Sequence, residues 1–295
     1  MSAIAGPGAG PALRDAGPAD DTGRLERRDR RALALQRLVG AALAPLWFPV
    51  VVGAMRLGLG WRIRDARELR RLYASLRRSR EPLLVCANHL TLVDSAVIAW
   101  ALGTPGWFLR HYAALPWNVP ERRNFASSML SRIAVYVMKC VPIERGGDRT
   151  AVGRVFTRLG WLLERGEAVL IFPEGGRSRT GRVEEESAAY GVGRLVASVP
   201  GCRVLCVYLR GEGQEGVTDL PARGERFRAR ARLLVPVSEH RGMRRARDIA
   251  GQVVAVLKDL EAEHFGECAA GVPAGSGRIA GAALATRARA SSEAA

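Results

Sequence analysis

Lysine is nearly missing from this 295-residue chain: of its 45 basic residues, only Lys139 and Lys258 are not arginine. Histidine is scarce as well, at four copies, and the five cysteines (Cys86, Cys140, Cys202, Cys206 and Cys268) show no metal-ligand spacing. A zinc-ribbon or cluster protein is thereby excluded, and no metal site is expected. Three of the thiols lie within or beside apolar runs, which suits buried, reduced cysteines and a cytoplasmic catalytic domain. No apolar signal-peptide region follows Met1, and no internal repeat is present. Acidic residues number only 29, leaving a formal net charge of +16. Such a balance favours anionic partners: nucleic acid, an anionic membrane face or phosphorylated substrates. No nucleic-acid-binding module is recognisable, and the arginines flank apolar stretches instead of interleaving with exposed aromatics. No nucleic acid partner is therefore expected.

With 48% apolar residues the chain has enough material for one full core. Residues 1–22 are rich in Gly, Ala, Pro and Asp without periodicity and read as a disordered tail; residues 266–295 read the same way. Residues 23–62 read as a membrane-associated segment. There an arginine cluster (Arg24, Arg27, Arg28, Arg30, Arg31) precedes an uncharged run from Leu38 to Met55, and Arg56, Arg62 and Arg64 follow it. Eighteen residues is the lower limit for a spanning helix. Pro45 and Pro49 interrupt the run, and basic flanks on both sides suit a segment that enters and leaves on one face. The pattern predicts a kinked helical hairpin lying in the cytoplasmic leaflet, peripheral or monotopic.

Residues 63–265 alternate strand-like and helix-like stretches. The expected fold is α/β, with a central, mostly parallel sheet flanked by helices. A basic amphipathic helix runs from Asp65 to Arg80. Trp107, Phe108, Leu109 and Tyr112 suggest a strand or a wall of an apolar site. An apolar helix is expected from Asn124 to Met138, a short strand over Val141–Gly146, and a helix capped by Asp148. Glu184–Glu186 would open the next helix. Phe227, Ala229 and Ala231 alternate with Arg226, Arg228, Arg230 and Arg232, which predicts an edge strand with one basic face. A helix over Met243–His264 closes the domain.

Two turns at strand ends carry the chemistry. The run Leu83–Ala87 ends in Asn88-His89-Leu90-Thr91-Leu92-Val93-Asp94, after which Ser95–Leu102 reads as a buried helix. Five residues apart on an ideal helix, two side chains point about 140° from one another, so His89 and Asp94 meet only if a turn separates them. An imidazole near its ordinary pKa can take a proton from a hydroxyl, and a carboxylate on its other nitrogen fixes the tautomer. His-x4-Asp alone arises by chance in roughly one such chain in five. The second turn, Phe172-Pro173-Glu174-Gly175-Gly176-Arg177-Ser178, follows the strand-like Ala168–Ile171 and is far rarer by chance.

Together with Val141-Pro142-Ile143-Glu144-Arg145, these motifs resemble the glycerolipid acyltransferase family, which includes bacterial 1-acyl-sn-glycerol-3-phosphate acyltransferases. The likeness covers roughly residues 80–210. Asn88, His89 and Asp94 match the first motif and Arg145 the second. Phe172, Pro173, Glu174, Gly175, Arg177 and Ser178 match the third. Gly176 stands where the family usually has threonine, and Cys206 where its fourth motif has proline. Ser187–Gly191 lacks the basic residue that often follows the third motif.

The resemblance implies transfer of an acyl chain from acyl-CoA or acyl-carrier protein to a lysophospholipid hydroxyl, with 1-acyl-sn-glycerol 3-phosphate as the leading acceptor. Glycerol 3-phosphate, a lyso-aminolipid or a glycolipid are the alternatives. His89 is the expected base, oriented by Asp94, with no acyl-enzyme and no cofactor beyond the thioester co-substrate. Arg145 and Arg177 would hold the acceptor phosphate, with Glu174 and Ser178 beside it and Gly175 and Gly176 opening backbone N–H groups to an anion.

Overall fold

A computed structural model of the chain describes residues 25–64, 66–125, 128–144, 146–178, 180–184 and 190–269. The expected tail over residues 1–22, Asp65 as a helix start, Arg145, and Glu185 and Glu186 as a helix start lie outside them. So do residues 270–295, while residues 266–269 belong to the closing helix.

Six strands form one sheet: β1 (Arg62–Arg64), β2 (Leu83–Ala87), β3 (Trp117–Asn118), β4 (Ala168–Ile171), β5 (Arg203–Gly211) and β6 (Arg226–Leu234). Their spatial order is β1-β6-β5-β2-β4-β3, and only the β5–β6 pair is antiparallel. The expected α/β architecture with a mostly parallel sheet is borne out. Alternation along the central strands explains the layering. Leu84, Cys86, Val169, Val204 and Cys206 enter one core, shared with α6 (Arg149–Glu164), α7 (Tyr190–Ser198) and α8 (Gly242–Ala269). Leu83, Val85, Ala87, Leu170, Leu205 and Val207 enter the other. Its helices are α1 (Arg27–Gly53), α2 (Ala66–Arg78), α3 (Asp94–Leu102) and α4 (Pro105–Arg110). Glycine lets two helices of the first layer close: a side chain at Gly193 of α7 would collide with the Ala246 carbonyl of α8.

The predicted helical hairpin is instead one continuous helix, α1 running into a π-helical turn at Ala54–Gly58. Together they are long and apolar enough to cross a bilayer. Proline inside a helix costs about 3 kcal/mol. Pro45 and Pro49 both lie on the exposed side, while Leu33, Gln36, Gly40, Ala44, Phe48, Val52 and Met55 form a buried stripe. Burying Phe48, Val52 and Met55 at about 1.5–3 kcal/mol each offsets the two prolines.

Other expectations shift for local reasons. The aromatic stretch around Trp107 is helix α4, not a strand, because Thr104 caps it by accepting from the Trp107 N–H (3.2 Å) and Pro105 occupies its first turn. The expected Val141–Gly146 strand is reduced to isolated bridges at Cys140 and Ile143. The apolar helix before it, α5 (Met129–Val137), starts five residues later than expected, at its Ser128 cap. Asp148 caps α6 as predicted (3.0 Å to the Ala151 N–H). β6 is not the edge: β1, only three residues long, pairs outside it. The basic face of β6 is covered by acidic groups of α8, with Arg230 on Glu267 and Arg232 on Asp259 and Glu263.

Candidate active site

β2 delivers Asn88 and His89 to the carboxyl end of the sheet, between β5 and β4. Asn88 is buried and locks this position, its side-chain amide donating to the Leu209 carbonyl (3.0 Å) and accepting from the Leu209 N–H (2.8 Å). The chain then folds around one carboxylate. Oδ2 of Asp94 accepts from the Leu90 N–H (2.5 Å), the Thr91 N–H (2.8 Å) and Nδ1 of His89 (3.0 Å). Its Oδ1 accepts from the Thr91 hydroxyl (2.5 Å). The turn between the two residues thus makes the His89–Asp94 pair that helical spacing alone forbids. An ionised carboxylate can only accept, so Nδ1 carries the proton and the lone pair of Nε2 is left for a ligand. Nε2 has no hydrogen bond among the described residues.

The second turn is built onto the first. Phe172 stacks on the His89 ring, centroids 4.1 Å apart and planes 15° from parallel. Glu174 Oε1 accepts from the His89 N–H (3.2 Å), and the Ser178 N–H donates to the His89 carbonyl (3.1 Å). Gly175 makes the bend at φ +67°, a conformation open to glycine, and its N–H closes the turn onto the Phe172 carbonyl (3.1 Å). Gly176 follows it, half-buried, in the same bend. Glu174 Oε2 is buried without a partner, and burial pushes this carboxyl up to about 7, opposed by the bond from His89.

The two motifs are therefore brought together, and their members take distinct positions. His89, Asp94, Glu174 and Gly175 meet at the carboxyl ends of β2 and β4. Ser178 faces inward: its hydroxyl donates to the Arg182 carbonyl (2.6 Å) and accepts from the Arg182 N–H (3.0 Å), folding the loop. Arg177 sits at the rim, paired with Asp219 (2.6 Å), whose carbonyl accepts from the Leu92 N–H (3.2 Å). Arg145 lies outside the described residues. Thr91, fully buried on Asp94, escaped the sequence reading although Thr-x-x-Asp spacing at a helix start is a capping signal. Asp219 carries no such signal.

An apolar cavity of about 220 Å³ opens beside the first turn. Leu92 and Ala96 line it from the turn and α3, Trp47 and Val51 from α1, Ala134 from α5, and Leu170 from β4. α1 and α5 meet closely over it; any side chain at Gly40 would collide with the Tyr112 hydroxyl and the Val137 carbonyl. Behind its wall the buried Lys139 donates to Glu167 (2.7 Å) and the Leu115 carbonyl (2.6 Å), and Trp117 donates to the same carboxylate (3.0 Å). Desolvation holds the Lys139 ammonium down at about 8, with Glu167 opposing it. Among the described residues no cluster of metal-ligating side chains occurs.

The frame is thus a mostly parallel α/β sheet with a histidine–carboxylate pair at its strand ends and an apolar cavity alongside, the place where such sheets hold ligands. A family model described as Acyltransferase matches residues 64–221 of the 295. The chain belongs to the acyltransferase family, in agreement with its likeness to the glycerolipid acyltransferases. A search of curated proteins found no match.

Proposed function

We propose that this acyltransferase moves a fatty acyl chain from acyl-CoA or acyl-carrier protein to the free hydroxyl of 1-acyl-sn-glycerol 3-phosphate, at the cytoplasmic face of a membrane. The observation that carries the reading is the Asp94-oriented imidazole of His89, its Nε2 free, beside an apolar cavity. His89 Nε2 takes the hydroxyl proton as the oxygen attacks the thioester carbonyl. The carbon–sulfur bond then breaks, and the departing thiolate takes the proton back from the imidazolium. Asp94 keeps the ring in the tautomer this requires and stabilises its charged form.

Direct transfer is favoured over an acyl-enzyme because burial pushes the Cys140, Cys202 and Cys206 thiols up to about 12 and Cys86 higher than its ordinary range. None of these is a thiolate nucleophile. In this reading Arg177, at the rim, receives the acceptor phosphate in exchange for Asp219, with Arg145 as its expected partner. Glu174, half-ionised near neutrality, can donate to or accept from a glycerol hydroxyl through Oε2. The cavity is smaller than the roughly 300–1,000 Å³ of common ligand pockets. It suits one section of an acyl chain, the remainder lying against lipid along α1. Leu38, Leu46 and Val50 on the outer side of that helix are each about two-thirds exposed, which supports insertion into a leaflet.

The test is thiol release from acyl-CoA by detergent-solubilised protein, with acceptors headed by lysophosphatidate. Lysophosphatidate-dependent release that falls about 10³-fold or more in His89→Ala is expected. Near-normal turnover in purified His89→Ala would remove the base. Release with glycerol 3-phosphate, a lyso-aminolipid or a glycolipid instead would keep the chemistry and change the acceptor, the choice on which Gly176 and Cys206 bear.

A further inference from the structure

At the opposite pole, around the amino ends of β2 and β4, lies a larger basin of about 1,150 Å³. Three helices end on it: α2 with Arg77 and Arg78, α4 with Arg110, and α6 just before Arg165. Arg37 of α1 and Arg80 complete a ring of six guanidinium groups, against one lining carboxylate, Glu164. Arginine at helix carboxyl ends has an ordinary explanation, since each end carries roughly half a negative charge. Three such ends, Glu164 and the Glu167 behind Arg37 offset about three and a half of the six charges. An excess of roughly two to three positive charges remains.

Two further observations concern residues lining this basin. Arg77 donates through Nη2 to the Gly166 carbonyl, but its Nε and Nη1 are shielded from solvent and have no partner. Arg80, on the basin's rim, has a positive φ (57°); among the described residues the other non-glycine position of that kind is Lys139 (56°), behind the apolar cavity. Such strain persists where the surroundings impose it, often around ligands. On one wall Trp107 stacks with His111, rings 5.1 Å apart.

We propose that this basin binds a phosphate-bearing anion with more than one negative charge, at a site separate from His89. Guanidinium groups match phosphate oxygens with paired donors, and the volume exceeds what a lone phosphate needs. The same chemistry is offered by the headgroup of an anionic phospholipid and by a soluble diphosphate ester. Arg37 is held by Glu167 (2.6 Å), which in turn holds Lys139 behind the apolar cavity. An anion that draws Arg37 away therefore reaches the cavity wall through one ion-pair relay.

The experiment measures binding of the intact, detergent-solubilised protein to inorganic pyrophosphate by calorimetry, and to phosphatidylglycerol-containing vesicles against phosphatidylcholine vesicles by flotation. Four proteins are compared: wild type, His89→Ala, Arg78→Ser/Arg110→Ser, and Arg241→Ser/Arg244→Ser. The last pair removes equal charge from exposed positions at the start of α8. Saturable binding of one probe, unchanged in His89→Ala and in the α8 pair but weakened tenfold or more in Arg78→Ser/Arg110→Ser, is expected. Pyrophosphate binding would identify a soluble ligand; phosphatidylglycerol selectivity that pyrophosphate does not compete away would identify a lipid headgroup. No saturable binding of either probe, or equal weakening in both double variants, would overturn the site. His89→Ala separates this outcome from failure of the proposed catalysis.

Discussion

The two turns that close the candidate active site are built on opposite plans. In the His89–Asp94 turn the side-chain bonding is turned inward: four donors converge on Asp94, and Nε2 of His89 is the ring atom left without a partner. The Phe172–Ser178 turn hangs from the main chain of His89 by two bonds, one through the Glu174 side chain and one through the Ser178 N–H, while Glu174 Oε2 is unpaired and Arg177 reaches out to an exposed partner. A turn with one spare atom is suited to doing one chemical step. A turn with several spare groups is suited to receiving a ligand whose polar atoms are still to come.

Four substitutions break or sharpen that contrast. Asp94→Asn places an NH₂ group among donors and unsettles the imidazole tautomer. A fall of about 10³-fold in kcat with a marked drop in thermal midpoint is expected, and unchanged kcat would detach Asp94 from the chemistry. Glu174→Gln keeps an acceptor for the His89 N–H but abolishes titration. Because the folded carboxyl is raised from 4.5 to about 7, folding takes up a proton between those values. Wild-type stability contributed by this group is whole below pH 4.5 and is lost as pH rises through 7. A loss on the order of 2–3 kcal/mol follows that Gln does not share. Urea midpoints of the two proteins at pH 5 and pH 8 check it; parallel pH dependence would contradict the buried, unpaired oxygen.

Thr91→Val removes the hydroxyl bond to Asp94 Oδ1 while keeping shape. About 1–2 kcal/mol of stability should go, with a smaller fall in kcat than for Asp94→Asn, and chemical denaturation measures it. Arg177→Ala is the mildest for the fold, within about 0.5 kcal/mol, because its ion pair is at the surface. Its expected mark is a rise in KM for a phosphorylated acceptor of about tenfold, absent for an uncharged one. Equal effects on both acceptors would place the phosphate elsewhere.

Much of the site was legible because its signals are local. Strand Leu83–Ala87, the Asn88–Asp94 turn and the Phe172 turn each combine an apolar run with unusual polar punctuation, and both turns fall at parallel strand ends as expected. What escaped depends on distant partners. Proline at 45 and 49 reads as a helix break until the buried stripe facing the other way is known. The arginine face of β6 reads as an open edge until Asp259, Glu263 and Glu267 cover it. The apolar cavity collects residues from α1, α3, α5 and β4, so no single stretch announces it. Ser178 fits its motif by identity, yet its buried hydroxyl serves the loop's own backbone.

The stripe on α1 bears on how this protein can be produced. A common way to make a membrane-associated enzyme tractable is to delete the apolar leader and express the remainder. Here the cut would remove Phe48, Val52 and Met55 from a shared core, take Trp47 and Val51 out of the cavity wall, and strip Arg37 from Glu167. The shortened chain would expose the floor it was meant to free and aggregate. Replacing Leu38, Leu46 and Val50 on the outward side with polar residues, while leaving the inward side alone, is the sounder route to a detergent-free preparation.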